Sequence, residues 1–429
     1  MFTKRTRCPI YVSHVVDNHL HVEALRQFFM ESAVLRRFPN GKLQSPELQQ
    51  TITSWFGYLF WQWDKNFKIE NHIKFYTGPG KTDYVTDEEI PEIMKELSLR
   101  PFPAGQSPWE IWMWENARLA RDPQQKPKTI CVFRCHHSLA DGYGILRLLV
   151  EDIAKQRLTL PFSLDRGHSS AFKKIWTFSK MLLKAPFELI DMSISSWDFN
   201  EWHIPEQKLT ARLNTALTTA MPIEEIKEIK KMYGVSFNVV LQAAFTGGVR
   251  NFMLEKNIEV PEAIHCVVPL PVPGHPGKLR NHMTAILNTL PVGIEDPRER
   301  IRDIQKSFRS LQSSSVPYAT FYLLPFIGAL PAWVVKILAT NLIATCLMTN
   351  FPAPGNQLDV LGQDIDDIVF GGGLLVGNLG IGLSSLSYNG NIRLGAGIDE
   401  AIFPDPEDVH NLVRKIEEEL DVMRGMEVI

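Results

Sequence analysis

The sequence predicts a layered α/β (α+β) fold built in two halves, and three observations predict it. With 429 residues, 45% of them hydrophobic, the chain can bury more than one substantial core. Stretches of strand periodicity and stretches of helical periodicity recur along its whole length. Neither kind is confined to one end, so helices should pack on sheets in both halves.

Taken in order, the first clear strand is Thr129-Ile-Cys-Val-Phe-Arg-Cys135, a β-branched and aromatic run. Gly142 and Gly144 then break the chain, and Ile145, Leu148, Leu149 and Ile153 recur at helical spacing. Residues 1–165 are expected to form the first half, residues 166–208 to be a crossover connection without regular punctuation, and residues 209–429 to form the second half. There, Pro222 to Met232 reads as a helix with Ile223, Ile226, Ile229 and Met232 on one face, stopped by Gly234. Ser236 suits the N-cap of a further helix that runs through Val240 and Ala244 toward Met253. A strand follows at Ala263–Pro269. The runs Gly380–Tyr388 and Ile392–Asp399 alternate about Asn389-Gly390-Asn391, a hairpin signal. The last helix opens on Asp405 and Pro406 and turns Val409, Leu412, Val413, Ile416 and Leu420 inward.

Composition removes several classes. A net charge of -3 gives no general attraction to nucleic acid. Five scattered cysteines, an odd number, read as reduced thiols of an intracellular protein. No apolar segment of signal-peptide type follows Met1–Pro9. The 26 residues between Arg309 and Lys336 are uncharged, and the apolar character continues to Met348. Pro317, Pro325, Pro331 and Asn341 interrupt them, so a re-entrant or surface-lying segment fits better than a clean span. Lys173 to Met192 reads as an amphipathic helix that lies on a membrane or on the neighbouring domain.

The chemistry concentrates in Cys135-His-His-Ser-Leu-Ala-Asp-Gly142, where a strand gives way to a loop. Adjacent residues on extended backbone face opposite ways, so His136 and His137 should do different work. A neutral imidazole can take a proton from a hydroxyl at neutral pH. Asp141 suits holding the loop through backbone N–H groups, and Gly142 permits a tight turn. Cys131, Cys135, His136, His137 and Asp141 also crowd as metal ligands might be crowded, yet the spacing is not that of a zinc finger and no second cluster stands out, so no metal is expected.

Several further segments stand in order around this one. They are Phe67-Lys-Ile-Glu-Asn-His72-Ile73, Ser107-Pro-Trp109-Glu110, Leu290-Pro-Val-Gly-Ile-Glu-Asp-Pro297, Thr349-Asn350-Phe-Pro352-Ala-Pro354, and Ser387-Tyr388-Asn389-Gly390 with Asp399. With His136, His137, Asp141 and Gly142 as HHxxxDG, they resemble the bifunctional wax ester synthase/acyl-CoA:diacylglycerol acyltransferase family, from about residue 50 onward. Three positions depart from the family pattern: Val239 replaces the acid of its Asn-Asp pair, Pro108 a leucine, and Ala353 a glycine.

The resemblance implies two halves like chloramphenicol acetyltransferase, with a central tunnel and the histidines at its middle. It implies acyl-CoA as co-substrate, no cofactor, and a long-chain alcohol or diacylglycerol as acceptor, giving a wax ester or triacylglycerol. His137 would be the general base, within a catalytic motif that includes His136, Asp141 and Gly142. Asn238, Asn350 or a hydroxyl of Ser384–Ser387, such as Ser387, would serve the oxyanion, and the sequence does not choose among them. Membrane contact would be peripheral or re-entrant. The expected location is intracellular and membrane-associated, at the endoplasmic reticulum or lipid droplets of a eukaryote or the inner membrane of a bacterium. Two alternatives stay open: a degenerate lipid- or acyl-CoA-binding relative, and an acyltransferase with a smaller acceptor.

Overall fold

The computed structural model describes residues 9–76, 85–86, 89–118, 126–156, 179, 183–191, 194, 197–272, 274–276, 278–338, 344–374 and 377–426. Two seven-stranded sheets form its frame, with a separate two-stranded hairpin. The first sheet runs Leu358–Val360, Gln363–Gly372, Pro9–Asp17, Lys128–His136, Trp109–Arg118, Ile73–Phe75, and Val85–Thr86 joins it on Trp109–Arg118. The second runs Met283–Leu290, Ile264–Pro271, Cys346–Pro352, Ile381–Tyr388, Asn391–Asp399, Leu213–Leu217, with Met221–Pro222 beside Asn391–Asp399. Helices and strands thus mix in both halves, as the periodicities predict.

Lys128–His136 owes its place to its side chains: Ile130 to Cys135 are all buried, and both of its edges are paired. The hairpin of the second sheet is the Asn389-Gly390 turn, where φ values of 47° and 76° put both residues in the left-handed region. Gly234, at φ 63°, ends Ile223–Tyr233 as a left-handed C-cap. Ser236 does stand at the N-cap of Phe237–Glu255, although its side chain makes no capping bond. Asp405 caps Pro406–Gly425 by accepting from the Glu407 N–H. These last two helices pack on each other and on the second sheet through Val249, Leu412 and Ile416.

Sheet membership departs from the expected division of the chain. Gln363–Gly372 and Leu358–Val360 come from the second-half sequence, yet they complete the first sheet. Gln363–Gly372 pairs antiparallel along Ile10 to Val16. Pairing partners are set by which edge lies open in space, and periodicity carries no information on that. Of the expected crossover, residues 166–178, 180–182, 192–193 and 195–196 lie outside the described residues. Just past its end, buried Asp399 accepts from Thr210 and Ala211 N–H groups at 2.9 and 2.7 Å.

Candidate functional site

The strand that carries the histidines is fastened from behind. His72 stacks on Trp109 with ring centroids 4.4 Å apart, Phe67 stacks on His72, and His72 Nδ1 bonds the Trp109 carbonyl at 2.7 Å. Trp109 in turn donates to the Leu48 carbonyl at 2.9 Å and pairs with Cys135. Glu110 lies 3.0 Å from Arg134 and 2.9 Å from Lys74, all but the lysine deeply buried. The His136 N–H donates to the Pro108 carbonyl at 2.9 Å. The segments around Phe67–His72 and Ser107–Glu110 therefore brace the histidine loop and do not enter it.

His136 and His137 have separate surroundings. His136 Nδ1 accepts from the Ser138 N–H at 3.1 Å and meets the Ser138 hydroxyl at 2.8 Å, and its ring stands edge-on to Phe102. Burial pushes its pKa down to about 4. His137 instead lines a cavity between the two sheets. Its Nδ1 lies 2.9 Å from Asn281 Oδ1, while Asn281 Nδ2 donates to the His137 carbonyl at 2.7 Å. An amide oxygen only accepts, so Nδ1 carries the proton and Nε2 keeps the lone pair. Burial holds the His137 pKa below the usual imidazole value, against the opposing pull of Asn281 and Asp141. The ring is neutral at pH 7 and has a basic nitrogen to offer.

Asp141 is buried and holds the loop at two points. Oδ1 accepts from the Gly144 N–H at 2.7 Å, which caps Gly142–Arg147, and Oδ2 accepts from the His282 N–H at 2.7 Å. The second bond ties Asn281 to the histidine loop. A Cβ on Gly142 would stand 2.1 Å from the Phe351 ring, so only glycine fits there. Asn281 and His282 escape motif reading. Their one sequence signal is a polar interruption, Arg280-Asn-His282, immediately before the alternating run Met283–Leu290.

The cavity measures about 350 Å³ and is walled mainly by apolar side chains and glycines. It does not gather the residues expected at the oxyanion. Leu347, Thr349 and Phe351 face the cavity, so the intervening Asn350 points to the other side of its strand. There Asn350 donates to Asn238 Oδ1 at 2.8 Å and accepts from Ser385 at 2.9 Å. Ser387 pairs with Pro352 and Ile392 and lies off the cavity wall, which takes Ser384 instead. Strand alternation is the reason in each case. What the wall does present is Thr349, whose buried Oγ1 has no hydrogen-bond partner. Val239, where the family has an acid, is fully buried among the apolar residues of the second core.

A second apolar surface lies outside. Among the described residues, no helix is long and apolar enough to cross a membrane. The uncharged run folds into the helices Val316–Gly328 and Ala332–Leu338, which leave Tyr322, Phe326 and Trp333 exposed. The Ala332 N–H donates to the Gly57 carbonyl at 2.8 Å and so joins the hairpin Gln50–Trp55/Tyr58–Trp63. That hairpin exposes Trp55, Phe56, Phe60 and Trp63. Residues 183–191 are helical and expose Leu183, Phe187 and Ile190 in one stripe, and Glu188 accepts from the Ser315 N–H at 2.8 Å. The rest of Lys173–Met192 and Asn341 lie outside the described residues, apart from residue 179.

Residues 279–424 match the family model of the WS/DGAT C-terminal domain. A candidate diacylglycerol O-acyltransferase of Mycobacterium tuberculosis is 25% identical over 380 residues, 80% of this chain and 73% of that one. The O-acyltransferase WSD of Acinetobacter baylyi is 20% identical over 411 residues, 86% of this chain and 84% of its own. The fold is that of the wax ester synthase/diacylglycerol acyltransferase of Marinobacter aquaeolei: TM-score 0.62 at 15% identity, covering 99% of this chain and 97% of that one. Over residues 279–424 and in its fold, the chain is similar to members of the wax ester synthase/diacylglycerol acyltransferase family.

Proposed function

We propose that the protein is an O-acyltransferase that moves a long-chain acyl group from acyl-CoA to a lipophilic alcohol, either diacylglycerol or a long-chain alcohol. The observation that carries this reading is His137. It lines an apolar cavity, and Asn281 holds its tautomer so that Nε2 is the free, neutral base.

Nε2 takes the proton of the acceptor hydroxyl as that oxygen attacks the thioester carbonyl. The tetrahedral oxyanion then needs a donor, and the orphaned Thr349 hydroxyl supplies one. Collapse expels the CoA thiolate, which recovers the proton from the imidazolium. Base, oxyanion donor and apolar seat are all side chains, so the reaction calls on acyl-CoA as co-substrate and on no bound cofactor. Asp141 and Asn281 are positioning residues.

The outer aromatic face supports a peripheral membrane or lipid-droplet location. Trp and Phe side chains, together with an exposed amphipathic stripe, suit the interfacial layer where such acceptors dissolve. The test offers palmitoyl-CoA with hexadecanol or with diacylglycerol to purified protein and follows thiol release and ester. Ester from one acceptor names the product class. Acyl-CoA binding without ester from either would move the reading to a non-catalytic relative.

A further inference from the structure

Among the described residues, a single acid–base ion pair interrupts the apolar cavity, at the seam where the two sheets meet. Arg393 Nη2 lies 3.2 Å from Asp367 Oδ2, and Nη1 donates to the Thr218 carbonyl at 3.1 Å. The two side chains are only 19% and 16% exposed.

Two strands form the walls beside this pair. On Asn391–Asp399, position 393 shares its face with Gly395 and Gly397, while Leu394, Ala396 and Ile398 turn into the second core. On Gln363–Gly372, position 367 shares its face with Val369 and Gly371. The Tyr11 ring packs on Gly371 and Leu217 on Gly395, so the two strands bound a narrow passage that holds the Arg393–Asp367 pair. Beyond the pair lies a second cavity of about 200 Å³, whose lining includes Tyr388, Asn389 and Asn391, and Arg393 and Asp367 belong to both cavities.

We propose that the Arg393–Asp367 pair is the end-stop of an alkyl-chain channel and sets the longest aliphatic chain the enzyme accepts. The inference rests on the proposed acyl transfer and deepens it by naming what limits the substrate. A chain that arrives at the pair must either stop or push apart a pair of desolvated charges, and stopping costs less. Removing both charges together takes away this ion pair and clears the way from one cavity toward the other.

The closing experiment measures kcat/KM over acyl-CoAs from eight to twenty carbons with hexadecanol, and over alcohols of the same range with palmitoyl-CoA. It uses the wild type, Arg393→Lys, and the double variant Asp367→Leu/Arg393→Leu. The channel predicts that one of the two series moves, and that series tells which substrate tail lies there. In the double variant the length limit in that series extends by two or more carbons, with a gain of about fourfold per methylene newly seated. Arg393→Lys keeps the wild-type limit.

Gly395→Ala is a third variant. Its Cβ would stand 2.5 Å from Leu217 Cδ2 and 3.2 Å from Ser384 Oγ, two residues of the cavity wall, and by displacing them it shortens the limit. Identical length profiles in all variants, or a loss equal at every length, would overturn the end-stop. Tryptophan-fluorescence titrations with the same acyl-CoAs and alcohols read the limit without turnover. A shifted binding limit with no ester formed would refute acyl transfer and leave the end-stop standing; an unshifted limit would sink the end-stop alone.

Discussion

The cavity around His137 and the outer face around Phe56 and Phe326 are both apolar, yet they are built in opposite ways. The inner surface uses aliphatic side chains and glycines, and against them stand a few polar groups in fixed places: the His137 imidazole, the orphaned Thr349 hydroxyl and the Arg393–Asp367 pair. The outer surface uses large aromatic side chains, with no acidic residue on the hairpin strands or along 310–335. On the proposed function, one apolar surface selects and reacts, and the other only partitions. Substitutions should therefore separate the two, large and chemical inside, small and physical outside.

The largest effect is expected at His137. His137→Ala should lower kcat/KM by about 10²–10⁴ while circular dichroism and melting stay near wild type. Thr349→Val sharpens the comparison, because the change is close to isosteric and the hydroxyl has no partner at rest. Activity should fall about 10²–10³-fold, as for one oxyanion donor, with stability unchanged or slightly raised. A loss of stability that matches the loss of rate would mean that Thr349 is only a packing residue.

Asn281 is tested through pH. The base works when neutral, so activity is lost as pH falls through the His137 pKa, which burial holds below the usual imidazole value. Wild type should therefore keep its kcat/KM below about pH 6.5, the unperturbed imidazole value. In Asn281→Asp a carboxylate would favour the imidazolium, and the acid limb should move up by about one unit or more. An unmoved limb would remove Asn281 from the proton chemistry.

The smallest chemical effect belongs to the outer face. Phe56→Ser with Phe326→Ser should weaken co-sedimentation with lipid vesicles and leave turnover of a short, soluble acyl-CoA and alcohol within about twofold. Equal binding by wild type and variant would break the comparison at its outer side.

Much of this architecture was legible from periodicity. The strand through Thr129–Cys135, the Asn389-Gly390 hairpin, and the helices closed by Gly234 and opened by Asp405 all stand where their patterns put them. Motif spacing pointed to His137 and Asp141, and the structure sets both at one loop. The oxyanion side was less legible. Asn350 sits in a recognisable segment, but one step along a strand reverses the face, and Thr349 is the neighbour that reaches the cavity. Asn281 lies 144 residues from His137, and only tertiary pairing makes them neighbours. The joining of Gln363–Gly372 to Pro9–Asp17 was equally hidden, since an open edge is a property of the assembled sheet.

That last pairing bears on how the molecule can be taken apart. If the chain were cut within the connection between its halves and the N-terminal piece made alone, Pro9–Asp17 would lose the ladder that now runs from Ile10 to Val16. A buried, β-branched strand would become a bare edge, open to the same strand of another molecule. Such a fragment should form intermolecular sheets, and the partner piece, holding Gln363–Gly372 with nothing to pair against, should be the reagent that dissolves them.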